Sequence, residues 1–262
     1  MEKCAFVIFG HSSLHTSDDI DDIIENINYF HDNADFMVLH PTMNHPKIKF
    51  NHPLGQLNMS SFIFGPLSNL IRNLTNEEIE GFEHFCLVSA NQYFINTIIF
   101  EKGVNYVQYY NTENWDDVYN GKDTDKTIIG FPLQQPYGRW DEKDLYKEYG
   151  IELPMVGNWE CMTLTKETML LAKKHIDKCL EYYPDNDMIN VFLPYMSILS
   201  GQKWEFPPHF GTYDPSNRPH FNWIITVEQV NRLFSEGYFS LKRVNYKKDC
   251  DIKNYIRTNI MK

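Results

Sequence analysis

The amino-acid sequence predicts an α/β fold: a mostly parallel central sheet with helices packed on its faces. Two patterns carry this expectation. The chain opens with a β-α-β unit, two continuous apolar runs around an amphipathic helix. Further apolar runs of strand length then alternate with segments of helical period opened by threonine caps. No internal repeat or low-complexity tract competes with that reading.

The first run, CAFVIFG (4–10), is apolar throughout up to its Gly, as in a strand buried on both faces. Ser17 is placed as the cap of the following helix. There Asp18 and Asp19 complement the helix dipole, and Ile20, Ile23, Ile24, Ile27 and Phe30 share one face. DFMVLHP (35–41) is the second strand, stopped by Pro41, and a right-handed crossover makes it parallel to the first. MSSFIFG (59–65) reads as a third strand. It precedes a helix on Leu67, Leu70, Ile71 and Leu74, and then a short helix opened by a Thr75/Glu78 capping box. HFCLVSA (84–90) is another buried strand, and INTIIFE with VNYVQYY (95–110) alternates as a hairpin joined at Lys102-Gly103.

Residues 111–150 are rich in turn residues, lack sustained periodicity and read as a surface excursion. GNWECMTL (157–164) is the next strand, and Thr165 caps a helix running through Met169, Leu170, Ile176 and Leu180. A helix beginning near Asn186 or Asp187 contains Pro194, which bends it. WEFPPHFGTYDPSNRPHF (204–221) is an aromatic and proline-rich loop. Thr226 caps the last clear helix, with Val230, Leu233 and Phe234 inward and Gly237 at its C-terminal end.

With 24 Lys+Arg against 35 Asp+Glu, net charge −11, the chain lacks the broad positive footprint of a nucleic-acid binder, so any cationic site is local. No apolar run reaches the ~20 residues that span a bilayer, and MEKCAFVIFGH has no signal-peptide layout; the expectation is a soluble, cytoplasmic protein. Cys4, Cys86, Cys161, Cys179 and Cys250 are scattered, with no C-x-x-C pair, and read as free thiols in a reducing compartment.

The P-loop, dinucleotide-fold, nucleophile-elbow and zincin signatures are all missing. Four D-x-D pairs occur, a pattern that can hold a divalent ion across a diphosphate. Asp19/Asp21 opens a helix, Asp123/Asp125 lies in a polar loop, Asp185/Asp187 follows a helix and Asp249/Asp251 sits in a charged tail, so no metal site is expected. Asp187 falls in the first turn of an apolar helix. A carboxylate there is either held rigidly beside a cleft or is a plain N-terminal helix carboxylate. Arg218 in DPSNRPH and Lys242 in GYFSLKRV can meet in one crevice if the sheet ends gather there; otherwise they are solvated surface cations. His11 directly follows the first strand, as a site residue or as a turn histidine.

Several of these segments together resemble the core-2/I-branching enzyme and peptide O-xylosyltransferase family, inverting glycosyltransferases of the GT-A fold. CAFVIFGH resembles that family's first strand with its terminal His; SSFIFGPLSNLI resembles the segment whose aromatic residue lines the uridine pocket; HFCLVSANQYFI is similar to its leucine-serine-glycine-x-aspartate strand and turn. GNWECMTLTKETM is similar to its glycine-x-x-tryptophan strand, PDNDMINVFL to the segment bearing the catalytic acid, and RPHFNWIITVEQVNRLFSEGYFSLKR to its C-terminal diphosphate-binding stretch.

The resemblance implies a single domain over residues 1–262: a nucleotide-binding half (1–110), the excursion (111–150), and an acceptor-binding and catalytic half (151–262). It implies a metal-independent enzyme with a nucleotide-sugar donor, UDP-linked, and a glycan or glycoconjugate acceptor. His11, Phe64, Arg218 and Lys242 would bind the donor; Gln92, Trp159 and Trp204 the acceptor, the tryptophans alternatively serving core or loop packing. Asp187 would be the general base where the family usually has Glu, with Asn186 as the alternative match. Gln92 stands where the family has Asp, Thr42 near an Asp that contacts the nucleoside, and the anchor of Golgi members is absent. Two other readings stay open: a metal-dependent transferase using Asp185 and Asp187, and an inactive sugar- or nucleotide-binding module.

Overall fold

The computed structural model describes residues 3–10, 16–40, 43, 45–51, 67–97, 99–110, 156–182, 189–205, 226–242, 244–245 and 247–262. Side chains are described for all of these except 49–51, 108–110, 156–161, 181–182, 189–191 and 242. All six residues of β1 (Cys4–Phe9) are buried, as the uninterrupted run CAFVIF requires, because a strand in mid-sheet has no solvated face. On one side β1 pairs in parallel with β2 (Ala34–His40), and on the other with β4 (His84–Ser89). The α/β fold, with a mostly parallel central sheet, is therefore as expected.

Seven strands form that sheet in the order β3-β2-β1-β4-β7-β6-β8. β3 (Ile48–Asn51) lies parallel to β2 at one edge. β7 (Val156–Thr165) runs antiparallel to both β4 and β6 (Val104–Tyr110), and β8 (Lys203–Glu205) closes the other edge parallel to β6. A two-stranded antiparallel sheet, β5 (Gln92–Phe94) with β9 (Ser240–Lys242), stands beside it.

Alternation along β1 and β4 separates two cores. Cys4, Phe6, Ile8, Cys86 and Val88 meet Ile20, Ile23, Ile27 and Phe30 of helix α1 (Ser17–Phe30). Ala5, Val7, Phe9, Phe85 and Leu87 face the other way. They meet the helix at 67–73 (α2), α3 (Asn76–Glu80), α4 (Lys166–Tyr182) and α5 (Ile189–Leu199). Each buried Phe, Leu or Ile stabilises by about 1.5–3 kcal/mol, so both faces of the sheet must be covered. Cys4, Cys86 and Cys179 are free buried thiols, and burial pushes Cys179 up to about 12; Cys250 is free and partly exposed. The side chain of Cys161 lies outside the description.

Several local expectations need correction. Thr16, not Ser17, caps α1: its hydroxyl accepts from Asp19 N while the Asp19 carboxylate accepts from Thr16 N at 2.8 Å. VNYVQYY does not fold back on 95–101 as a hairpin. The turn at Lys102-Gly103 forms, with Gly103 at φ +72°, but β6 inserts between β7 and β8, where both of its edges find partners. Phe234 in α6 (Val227–Ser235) is 42% exposed, because Val230 and Leu233 define the buried face and residue 234 falls on its flank. The segment taken as a charged tail forms α7 (Asp251–Asn259), and β3 was not foreseen. The Thr75/Glu78 box, the Thr226 cap and Gly237 at φ +80° agree with the sequence reading, and Pro194 lies inside α5. The strand expected at 59–65, the excursion 111–150 and the loop beyond Glu205 fall outside the described residues.

The C-terminal elements are tied to α1 through buried charge. Asp22 and Lys253 form an ion pair at 2.9 Å with both side chains 1% exposed; Arg257 also bonds Asp22, and Tyr93 Oη donates to Asp22 Oδ1 at 3.1 Å. One turn earlier, Asp19 accepts from Lys248 N at 2.9 Å. One turn later, Asn26 exchanges two hydrogen bonds with the backbone of Phe94 in β5. Burial opposes ionisation of Asp19, but the bonds from Thr16 and Lys248 outweigh it and hold its carboxyl below the usual range.

Removing one partner strands a buried charge, so Asp22→Ala should cost about 3–5 kcal/mol in urea unfolding, and Asp22→Asn a comparable amount. At the end of α1, His31 is buried between Phe6 and a parallel-stacked Phe100, and its Nε2 has no hydrogen-bond partner. Burial lowers its pKa to about 4, against a weaker opposing pull from Asp32. The unfolded chain then binds a proton that the folded protein refuses. Stability should fall as pH drops from 6.5 toward about 4, by on the order of 3 kcal/mol, and that slope should be missing in His31→Phe.

Candidate functional site

Chain order places the site. From β1 the chain steps outward to β2 and β3, then returns to β4 on the opposite side of β1, so the connections diverge between the carboxyl ends of β1 and β4. In open α/β sheets such a switch point leaves a crevice, and ligands bind there.

The described residues at that edge are held by backbone hydrogen bonds. Gly10 N donates to Leu39 O at 2.9 Å and Ala90 N to Phe9 O at 3.0 Å, which fixes the ends of β1, β2 and β4 relative to one another. His40, at the end of β2, is buried, and its Nδ1 accepts from Met43 N at 2.8 Å; the proton of the neutral ring is therefore on Nε2. Its Cδ2 edge covers Gly10 so closely that a Cβ on residue 10 would sit 2.7 Å away. Glycine is thus required at the end of β1 for a steric reason.

Directly after β4, Ser89 Oγ donates to Asn91 Oδ1 at 2.6 Å and Ser89 N to Gln92 Oε1 at 3.4 Å. Gln92 opens β5, and its partner in register across the small sheet is Lys242, with Tyr93 opposite Leu241 and Phe94 opposite Ser240. Gln92 Nε2 donates to Ser240 Oγ at 2.8 Å, and Val244 N donates to Asn91 O at 3.0 Å just beyond Lys242. Of the expected site residues, Gln92 and the backbone of Lys242 are therefore brought together beside the switch point.

Trp159 lies in β7, four residues before Thr163, which pairs with Cys86. Because β7 is antiparallel to β4, this carries the Trp159 backbone about 13 Å toward the same carboxyl edge. Trp204 is placed elsewhere. It pairs with Asn105 on edge strand β8, level with the start of β4 and three strands across from it, 45% exposed. The structure does not bring Trp204 together with Gln92. His11, Phe64, Asp185, Asn186, Asp187 and Arg218 lie outside the described residues, as does Thr42. Among the described residues no group of three or more His, Cys, Asp or Glu side chains converges as metal ligands, and no helix is long and apolar enough to cross a membrane.

Sequence reasoning missed Ser240, His40 and Asn91. The signal available for His40 was that both opening apolar runs lead into a histidine in the sequence, FGH and VLH. Comparison of the chain with protein-family models and with curated proteins finds no match.

The Gly10 contact generates a test. Gly10→Ala should destabilise by about 1–3 kcal/mol, the cost of overpacking, and His40→Ala in the same chain should recover part of that loss in urea unfolding.

Proposed function

We propose that the chain is an inverting, metal-independent glycosyltransferase of the GT-A type, moving a sugar from UDP to a hydroxyl of a glycan or glycoconjugate. The observation that supports this most is the pairing of Lys242 with Gln92 beside the β1/β4 switch point. In an acidic chain, that pairing sets one cationic residue where a parallel sheet offers its ligand crevice. The β-α-β opening supports the nucleotide-binding assignment of the first half, and β9, within the C-terminal stretch that resembles a diphosphate grip, lies beside that switch point.

In this reading the acceptor oxygen attacks the anomeric carbon as the bond to the β-phosphate oxygen breaks, and UDP leaves with the bonding electron pair. Asp187 takes the acceptor proton. Lys242 and Arg218 neutralise the leaving diphosphate, the role a metal ion plays elsewhere. His11 and Phe64 complete the donor side and Trp159 the acceptor side. One carboxylate suffices, because a single in-line displacement inverts the anomeric centre.

Isothermal titration with UDP should give binding that persists in EDTA and weakens at least tenfold in Lys242→Ala while the apo melting temperature stays within about 2 °C. Asp187→Asn should abolish sugar transfer and keep UDP affinity. Binding that requires Mn²⁺ would replace this reading by the metal-dependent one; UDP binding without transfer to any acceptor would leave a binding module.

A further inference from the structure

Gln92 is expected from resemblance to touch the acceptor, yet its side chain is 1% exposed and both ends of its amide are engaged within the protein. Its oxygen takes the Ser89 N–H at the end of β4, and its nitrogen reaches across to Ser240 Oγ in β9. We propose that Gln92 is a positioning residue that fixes the register of β9 on β5, and thereby the place of Lys242 at the crevice. This rests on Lys242 being a diphosphate ligand.

A three-residue ladder specifies its register weakly, and two devices supply what the backbone lacks. Leu241 is buried in an apolar cluster with Tyr93, Val230 and Leu233. A slip of one residue would put Ser240 or Lys242 there instead, so the apolar pattern excludes odd slips. A slip of two keeps the alternation and is not excluded in that way. The Gln92–Ser240 bond is diagonal, joining residue 92 to the residue two places before its partner 242, and a slip that carries Ser240 two places further from Gln92 breaks it. It is therefore the contact that rejects a slip of two in that direction. Because Gln92 also holds Ser89 N, the register is referred to the end of β4 and through Ala90 N to Phe9 O at the end of β1.

The test is a double-mutant cycle on UDP affinity in the full chain, with the Km for the acceptor read in parallel. Gln92→Ala and Ser240→Ala should each weaken UDP binding about tenfold, the size of one lost buried hydrogen bond, and together no more than either alone. In the Lys242→Ala background Gln92→Ala should add nothing, and acceptor Km should move in none of these variants.

A raised acceptor Km with unchanged UDP affinity would overturn the inference in favour of direct acceptor contact. A lower melting temperature with unchanged UDP affinity would overturn it in favour of plain stability, and losses from Gln92→Ala and Lys242→Ala that simply add would show them to be independent. If Lys242→Ala itself leaves UDP affinity unchanged, the assignment of the crevice falls, and the inference with it. That outcome is separate from the others, because it is read in a variant that leaves Gln92 intact.

Discussion

A carboxylate at Asp22 and an ammonium at Lys253, both withdrawn from water, can coexist only while they touch. That constraint joins the first helix to the last. Through Tyr93 and Arg257 it extends to β5, and through Asn26 to Phe94, so the small sheet is held on the α1 side of the molecule by polar contacts. The apolar cluster of Tyr93, Ile95, Val230, Leu233, Leu241, Val244 and Ile256 fills the space between them. A buried pair adds little net stability over an apolar replacement, but the loss of either partner strands the other charge away from water.

What it places is the second wall of the crevice. The first wall is the sheet edge itself, the ends of β1, β2 and β4, set by Gly10, His40 and Ala90. The second is β9, docked on β5 with Lys242 opposite Gln92. Ala90 N to Phe9 O holds the first wall together, and Val244 N to Asn91 O ties the second to the segment that leaves β4. The proposed diphosphate grip therefore relies on contacts none of which involves the ligand.

How much of this could be read from sequence depended on whether the deciding contact was local. β1, β2 and β4 announce themselves as largely apolar runs, and Thr75 and Thr226 as caps a few residues from the groups they satisfy. Even there, the choice between Thr16 and Ser17 turned on which hydroxyl Asp19 could reciprocate. α7 was illegible because its buried face carries a lysine whose partner stands 231 residues away. β6 was misassigned as half of a hairpin because its alternation is satisfied by β7 and β8, far along the chain. In the site the same rule holds. Lys242 was legible as a cation after an aromatic stretch, whereas its pairing with Gln92, the buried state of that glutamine and the removal of Trp204 to the far edge are consequences of topology.

The polar stripe Asp19, Asp22, Asn26 on α1 has a meaning for biosynthesis. At roughly 5–20 residues per second, Lys253 leaves the ribosome about 12–46 s after Asp22. During that interval β1, β2 and β4 can already pair, α1 can already cover its face of the sheet and Asn26 can already meet Phe94, but the C-terminal partners of Asp19 and Asp22 do not yet exist. Had the stripe been apolar, the nascent domain would show a sticky flank to every chaperone and neighbouring chain. The two carboxylates instead keep that flank hydrated until Lys248 and the last helix arrive to claim them.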